Sequence, residues 1–211
     1  DSVHPSPPGQ AVMAYGLLKA LGCTDQASGL IIDAAAAKAT PDRCKVTDLK
    51  VTADALTFVR TDEALPTFLD AAAAPVLKYV PFEQDMNQYS FKVTGLKPGN
   101  WKLVAQGITV GTYTAEQLAQ GLNLASMPGP WQTLGAAVNG LSGEQENLYF
   151  MAWRQVQLMA APPEAQPEQQ ALAKKLNEIV AARELLRMKA PRGDRAWTWS
   201  LTYVPEPPAT P

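Results

Sequence analysis

The chain has 211 residues, of which 46% are hydrophobic, and this is enough to bury a sizeable core in one large domain or two small ones. A net charge of -2 with dispersed basic residues argues against nucleic-acid binding, and no segment approaches the roughly 20 apolar residues of a membrane span. Cys23 and Cys44 lack the paired spacing of a zinc site, which leaves a single disulfide and two free thiols both open.

The first predicted element is a buried helix from Gly9 to Leu21. The segment is apolar on nearly every face, is rich in helix-forming residues and stops at Gly22, which suits a left-handed cap. Prolines at positions 5, 7 and 8 predict a rigid loop that leads into the first turn of this helix.

Strands dominate the next part, residues 28–125. The runs 44–51 and 55–61 predict a hairpin, and Thr114 with Gln117 matches a capping box that opens a short helix. Strict alternation further along the chain predicts one apolar strand face. The residues on that face are Tyr89, Phe91, Val93, Trp101 and Leu103. Together these signals predict a small antiparallel sheet with a helix beside it.

Residues 126–190 are predicted to form an antiparallel helical hairpin, since two segments with helical spacing flank a proline-rich break. The apolar stripe of the second helix consists of Leu172, Leu176, Ile179, Leu185 and Leu186. The last part, 191–211, combines an alternating strand with a proline-rich tail. The predicted fold class is therefore α+β, in which residues 1–27 contribute an N-terminal helix ahead of the sheet, the hairpin and the final strand.

Asp1 and His4, the one histidine of the chain, are the candidate catalytic residues. On a loop that bends, the carboxylate can accept a hydrogen bond from Nδ1–H while Nε2 faces outward as a base. This pairing selects the useful tautomer, but a general base also needs a hydroxyl to deprotonate. The same residue types near a terminus are also typical of solvated surface positions.

The segment DSVHPSPPGQAVMAYGLLKALG resembles the last conserved block of SGNH hydrolases, also called GDSL esterases. In that block Asp-x-x-His-Pro stands on a loop before a long final helix that packs against a parallel sheet. The stretches FVRTDEALP, YSFKVTGLKPGNWKL, VGTYTAEQLAQGLNLA and LYFMAWRQVQL resemble the region that follows it in a bacterial subgroup. The resemblance implies that residues 1–27 are the end of an α/β hydrolase domain, with His4 as the general base toward a serine and Asp1 as its orienting partner.

The resemblance also implies a function: hydrolysis of carboxylic esters, with O-acetyl groups on carbohydrate as the narrower candidate, in a secreted or periplasmic protein. The nucleophilic serine and the oxyanion-hole residues would belong to a missing N-terminal part of the hydrolase domain, because no Gly-Asp-Ser, Gly-x-Ser-x-Gly or Ser-x-x-Lys motif occurs here. The chain alone is therefore expected to be almost inactive.

The alternative is a non-catalytic module that binds carbohydrate or another protein through its sheet and exposed tryptophans. Trp197 and Trp199 have the spacing for such a surface, although the same spacing marks one buried strand face, which we favour. With one histidine, a His-rich metal site is excluded, and no cofactor motif is found. The carboxylate pairs Asp62–Glu63 and Glu144–Glu146 are interpreted as solvated groups in polar turns.

Overall fold

A computed structural model describes residues 3–23, 26–189 and 196–205 of the chain. These residues divide into a strand unit, which runs to Thr133 and resumes with the last strand, and a helical unit, which begins at Leu134. The α+β class predicted from the sequence is confirmed. None of the helices in these ranges is long and apolar enough to cross a membrane.

Within the described residues, the strand unit contains two sheets whose strands run in the order β2-β1-β5-β8 and β3-β4-β9-β6-β7. The strands are β1 (Gln26–Asp33), β2 (Lys38–Asp42), β3 (Cys44–Val51), β4 (Ala55–Asp62), β5 (Gln88–Thr94), β6 (Asn100–Ala105), β7 (Ile108–Thr114), β8 (Leu122–Asn123) and β9 (Ala196–Val204). The α-helices are α1 (Pro7–Ala20), α2 (Phe82–Met86), α3 (Ala115–Gln120) and the start of α4 (Pro130–Phe150), and a 3₁₀ helix spans Ala74–Lys78.

The two sheets pack face to face through their alternating apolar residues. Phe91 of β5 lies 6.1 Å from Phe58 of β4 and 5.8 Å from Trp199 of β9, measured between ring centroids. The period-two pattern therefore identified the buried face correctly, since residues of one strand face share one environment. Trp197 and Trp199 are both buried, which confirms the favoured prediction of a buried strand face and rules out a binding surface at these two residues.

Two features of the sheets correct the sequence prediction. The predicted single antiparallel sheet is two sheets, and β1 pairs with β5 in parallel. The strand predicted for the C-terminal part lies between β4 and β6 in the middle of the second sheet, so it belongs to the strand unit. Alternation reveals that a segment is a strand and which face is buried, but the identity and direction of its partners depend on residues far away in the chain.

Two local predictions in the strand unit are confirmed. β3 and β4 form the expected antiparallel hairpin. At the start of α3, the backbone N–H of Gln117 donates to Thr114 Oγ1 (3.2 Å), and the backbone N–H of Thr114 donates to Gln117 Oε1 (2.9 Å). This capping box was predictable because it depends only on residues three positions apart.

The helical unit consists of most of α4, a π-helix at Met151–Gln157, a 3₁₀ turn at Pro163–Ala165 and α5 (Gln166–Lys189). The predicted hairpin is present, but its apolar stripe is largely exposed at Leu172, Ile179, Leu185 and Leu186. The buried hydrophobic residues of this unit, among those the structure describes, are Ala152, Val156 and Ala173. Two helices cannot cover every apolar position of both, because a two-helix unit has no further layer on its outer sides.

Candidate functional site

The predicted catalytic base lies in a bend immediately before α1. His4 is exposed, Ser6 is the N-cap with an extended backbone, and Pro7 occupies the first helical position, where its missing N–H costs no hydrogen bond. The backbone N–H of Gln10 donates to the Ser6 carbonyl (2.9 Å) and begins the helix. Asp1 lies outside the described residues, so its pairing with His4 stays a prediction.

The sequence predicted a buried helix after His4, but most of this helix is exposed. Tyr15 is its one buried residue, whereas Met13 is 66% exposed and Leu17 is 62% exposed. Leu21, directly after the helix, is also exposed. The prediction of a helix is confirmed. A helix that is apolar on all faces is normally covered on every side, but the described residues cover only the side that carries Tyr15.

The covered side of α1 is held to the strand unit by a polar contact around Asp85 of α2. Tyr15 Oη donates to Asp85 Oδ2 (2.6 Å), and Lys19 Nζ donates to the same oxygen (2.6 Å). The Tyr15 ring also packs against Phe82, with centroids 6.3 Å apart. The hydrogen bonds from Lys19 and Tyr15 lower the pKa of Asp85, and the bond to Asp85 raises the pKa of Lys19. Lys19 and Asp85 are therefore both charged at neutral pH.

A buried ionic cluster links the two sheets. Arg60 of β4 donates from Nε to Asp62 Oδ1 (2.8 Å) and from Nη2 to Ser28 Oγ of β1 (2.9 Å). Asp62 also accepts from Ser28 Oγ (2.6 Å) and from Tyr89 Oη of β5 (2.8 Å). The guanidinium carbon of Arg60 lies 4.2 Å from the Tyr89 ring centroid. Burial is the main cause that raises the pKa of Tyr89, so its hydroxyl remains a donor to Asp62.

The cluster corrects the interpretation of Asp62 as a solvated carboxylate, because this residue is 2% exposed and paired. Glu144 is also not in a turn: it lies on α4 and forms an ion pair with Arg183 of α5. In the sequence of β4, Arg60 and Asp62 continue the alternation that begins with the apolar residues Leu56 and Phe58. This pattern could have predicted that both charged residues lie on the buried face. Since all four members are buried, the cluster joins the sheets and offers no surface for a substrate.

Among the described residues, Cys23 and Cys44 are both free thiols, and no group of three or more His, Cys, Asp or Glu side chains is placed to hold a metal ion. In the helical unit, a groove of about 790 Å³ lies between the end of α4 with the π-helix and the last turns of α5. Three exposed aromatic residues line it: Tyr149, Phe150 and Trp153.

One solved structure is similar to the chain over nearly its full length. It is described as BT4096, a gut microbial diltiazem-metabolizing enzyme, and it matches with a TM-score of 0.80 and 24% sequence identity over 97% of this chain. The chain spans 56% of that protein's length. No protein-family profile matches the chain, and no curated protein matches it. At this level of identity, the similarity establishes a shared fold.

Proposed function

We propose that the chain is the C-terminal part of an SGNH-type ester hydrolase, in which His4 is the general base and Asp1 orients it. The base takes a proton from a serine hydroxyl supplied by an upstream segment, and the serine oxygen attacks the ester carbonyl. The ester C–O bond then breaks, and His4 returns the proton to the leaving alcohol. Water, deprotonated by the same base, releases the acid from the acyl-enzyme and regenerates the serine. The proposed substrates are carboxylic esters, with acetylated carbohydrate as the narrower candidate, and the proposed location is outside the cytoplasm.

The observation that carries the proposal is the exposed apolar surface of α1 directly after the His4 bend. Met13, Leu17 and Leu21 together form an exposed apolar surface. A contiguous apolar surface of this kind usually marks a contact with another domain or molecule. In the family that the N-terminal block resembles, this helix packs against the catalytic sheet. An upstream hydrolase domain would therefore cover these side chains and bring His4 next to its serine.

Two further observations support the proposal. The similar solved structure is an enzyme and is longer than this chain, which leaves room for a catalytic domain beyond the part that matches. On the face opposite Met13 and Leu17, α1 is bound to Asp85 through Tyr15 and Lys19. Because the His4 bend leads directly into α1, this contact also attaches the bend to the strand unit.

The test is an esterase assay on the protein expressed with its upstream coding sequence, using p-nitrophenyl acetate. The His4→Ala variant is expected to lose a factor of about 10² to 10⁴ in kcat, because the serine loses its base. Asp1→Asn is expected to lose less, and Asp48→Asn, an exposed aspartate on β3, serves as the matched control with unchanged rates. Labelling of the unmodified protein by a fluorophosphonate probe tests whether the upstream segment supplies an activated serine.

Turnover by His4→Ala at the rate of the unmodified protein would contradict the assigned role of this residue. An upstream segment without a serine nucleophile would contradict the family proposal as a whole. The 211-residue chain by itself is expected to leave the ester intact, since it lacks the nucleophile and the oxyanion donors.

A further inference from the structure

The groove of the helical unit has the size and lining of a ligand site. Its volume of about 790 Å³ lies within the range of roughly 300–1,000 Å³ that small-molecule sites occupy. Tyr149 is 58% exposed and Trp153 is 45% exposed, so both rings present a free face to solvent. Adjacent exposed apolar side chains of this kind often mark a site where another molecule packs.

The backbone at this groove departs from an ordinary helix. Met151–Gln157 is a π-helix, and the N–H of Leu158 donates to the carbonyl of Trp153, five residues earlier (3.1 Å). The wider turn changes the direction in which residues after Phe150 project, and it places Trp153 on the groove wall. Such segments are rare and occur frequently at functional sites.

The groove is lined by one ion pair, Glu184–Arg187, and by the further carboxylate of Glu146. Arg187 donates from Nε and Nη2 to both carboxylate oxygens of Glu184 (2.7 and 2.6 Å). This ion pair lowers the pKa of Glu184 and raises that of Arg187, so both stay charged and paired at neutral pH. The remaining polar lining includes the amides of Gln145 and Asn147, which offer neutral donors and acceptors.

We infer that this groove binds a neutral oligosaccharide. A sugar ring has an apolar C–H face that stacks on indole or phenol rings, and its hydroxyl groups suit the planar amide and carboxylate side chains at the rim. An anionic ligand would find no unpaired cation in the Glu184–Arg187 pair. This inference goes beyond ester hydrolysis and does not depend on it, because every residue involved belongs to the helical unit.

The arrangement of the five tryptophans provides a direct optical test on the 211-residue chain. Trp101, Trp131, Trp197 and Trp199 are buried, so a ligand that stacks in the groove changes the emission of Trp153 alone. Titration with cellohexaose, xylohexaose or mannohexaose is expected to give a saturable emission change with at least one of these sugars. Trp153→Phe should abolish that signal while isothermal calorimetry still detects binding.

Trp153→Ala and Tyr149→Ala are each expected to weaken binding about tenfold or more, since each removes one stacking face. Tyr79→Ala is the matched control: Tyr79 is 72% exposed, lies in the strand unit and should leave affinity unchanged. Circular dichroism at 222 nm verifies that each variant keeps its helices.

Absence of binding to all three sugars, or equal affinity in Trp153→Ala, would overturn the inference. A concentration-dependent doubling of mass that is insensitive to sugar and is lost in Trp153→Ala would also overturn it, because a second copy would then occupy the groove. Neither result affects the ester hydrolase proposal, which is tested on His4.

Discussion

Removal of either charge from the buried Arg60–Asp62 pair is expected to destabilise the strand unit strongly. Both side chains are fully buried, so the charge that is left behind faces a low-dielectric core without its partner. Breaking a buried pair from one side costs about 3–5 kcal/mol in free energy of unfolding. For Arg60→Met we expect about 3 kcal/mol, the lower end, because Asp62 keeps hydrogen bonds from Ser28 and Tyr89.

Asp62→Leu is expected to cost more, about 4–5 kcal/mol, since the guanidinium then keeps Ser28 as its hydrogen-bond partner and the Tyr89 ring. The double variant Arg60→Met/Asp62→Leu leaves no buried charge. It does leave the Ser28 and Tyr89 hydroxyls without their carboxylate acceptor, which costs about 1–3 kcal/mol. The double variant should therefore be more stable than either single variant.

The original protein, the two single variants and the double variant form a double-mutant cycle. The free energy of unfolding of each is measured by urea unfolding, followed by tryptophan emission and by circular dichroism. The emission is a suitable probe because Trp131 and Trp199 lie in the core beside Tyr89 and Arg60. If the double variant loses as much stability as the two single losses added together, the two charges are not coupled and the reasoning is refuted.

Three further outcomes are expected. Asp85 has a lowered pKa, so the stability that it contributes is present above its ordinary pKa of 3.8 and is lost as pH falls through the lower folded value. The protection factors of the α1 amides, which correct hydrogen exchange for its intrinsic pH dependence, should therefore fall in acid, and Asp85→Asn should remove this change. Thr114→Ala should cost about 1 kcal/mol in urea unfolding by removing the α3 cap, with Thr114→Ser close to the original. Gly95 has φ of 76°, and a Cβ there would lie 2.8 Å from the backbone nitrogen of Ala35, so Gly95→Ala should cost at least about 1–2 kcal/mol. Gly107→Ala, with similar φ but open space around it, isolates the backbone part of that cost, and equal losses for the two would contradict the clash.

Much of the strand unit could be predicted from local sequence patterns. The alternation through Tyr89, Phe91 and Val93 identifies a buried face because neighbouring side chains on a strand point to opposite sides. The cap at Thr114 and the β3–β4 hairpin depend on residues that are close in sequence. His4 was singled out by its motif and by resemblance to a family, and both are properties of a short segment.

The sequence by itself determined the longer helices and most of the longer strands, since each periodicity is set by the geometry of its own backbone. The tertiary structure alone decided that β1 pairs with β5 in parallel and that β9 enters the middle of a sheet, because these choices join distant parts of the chain. It also decided which charged and apolar residues are covered. Asp62 is buried because Ser28 and Tyr89 of the other sheet donate to it, whereas Leu17 and Trp153 stay exposed because no described residue packs over them.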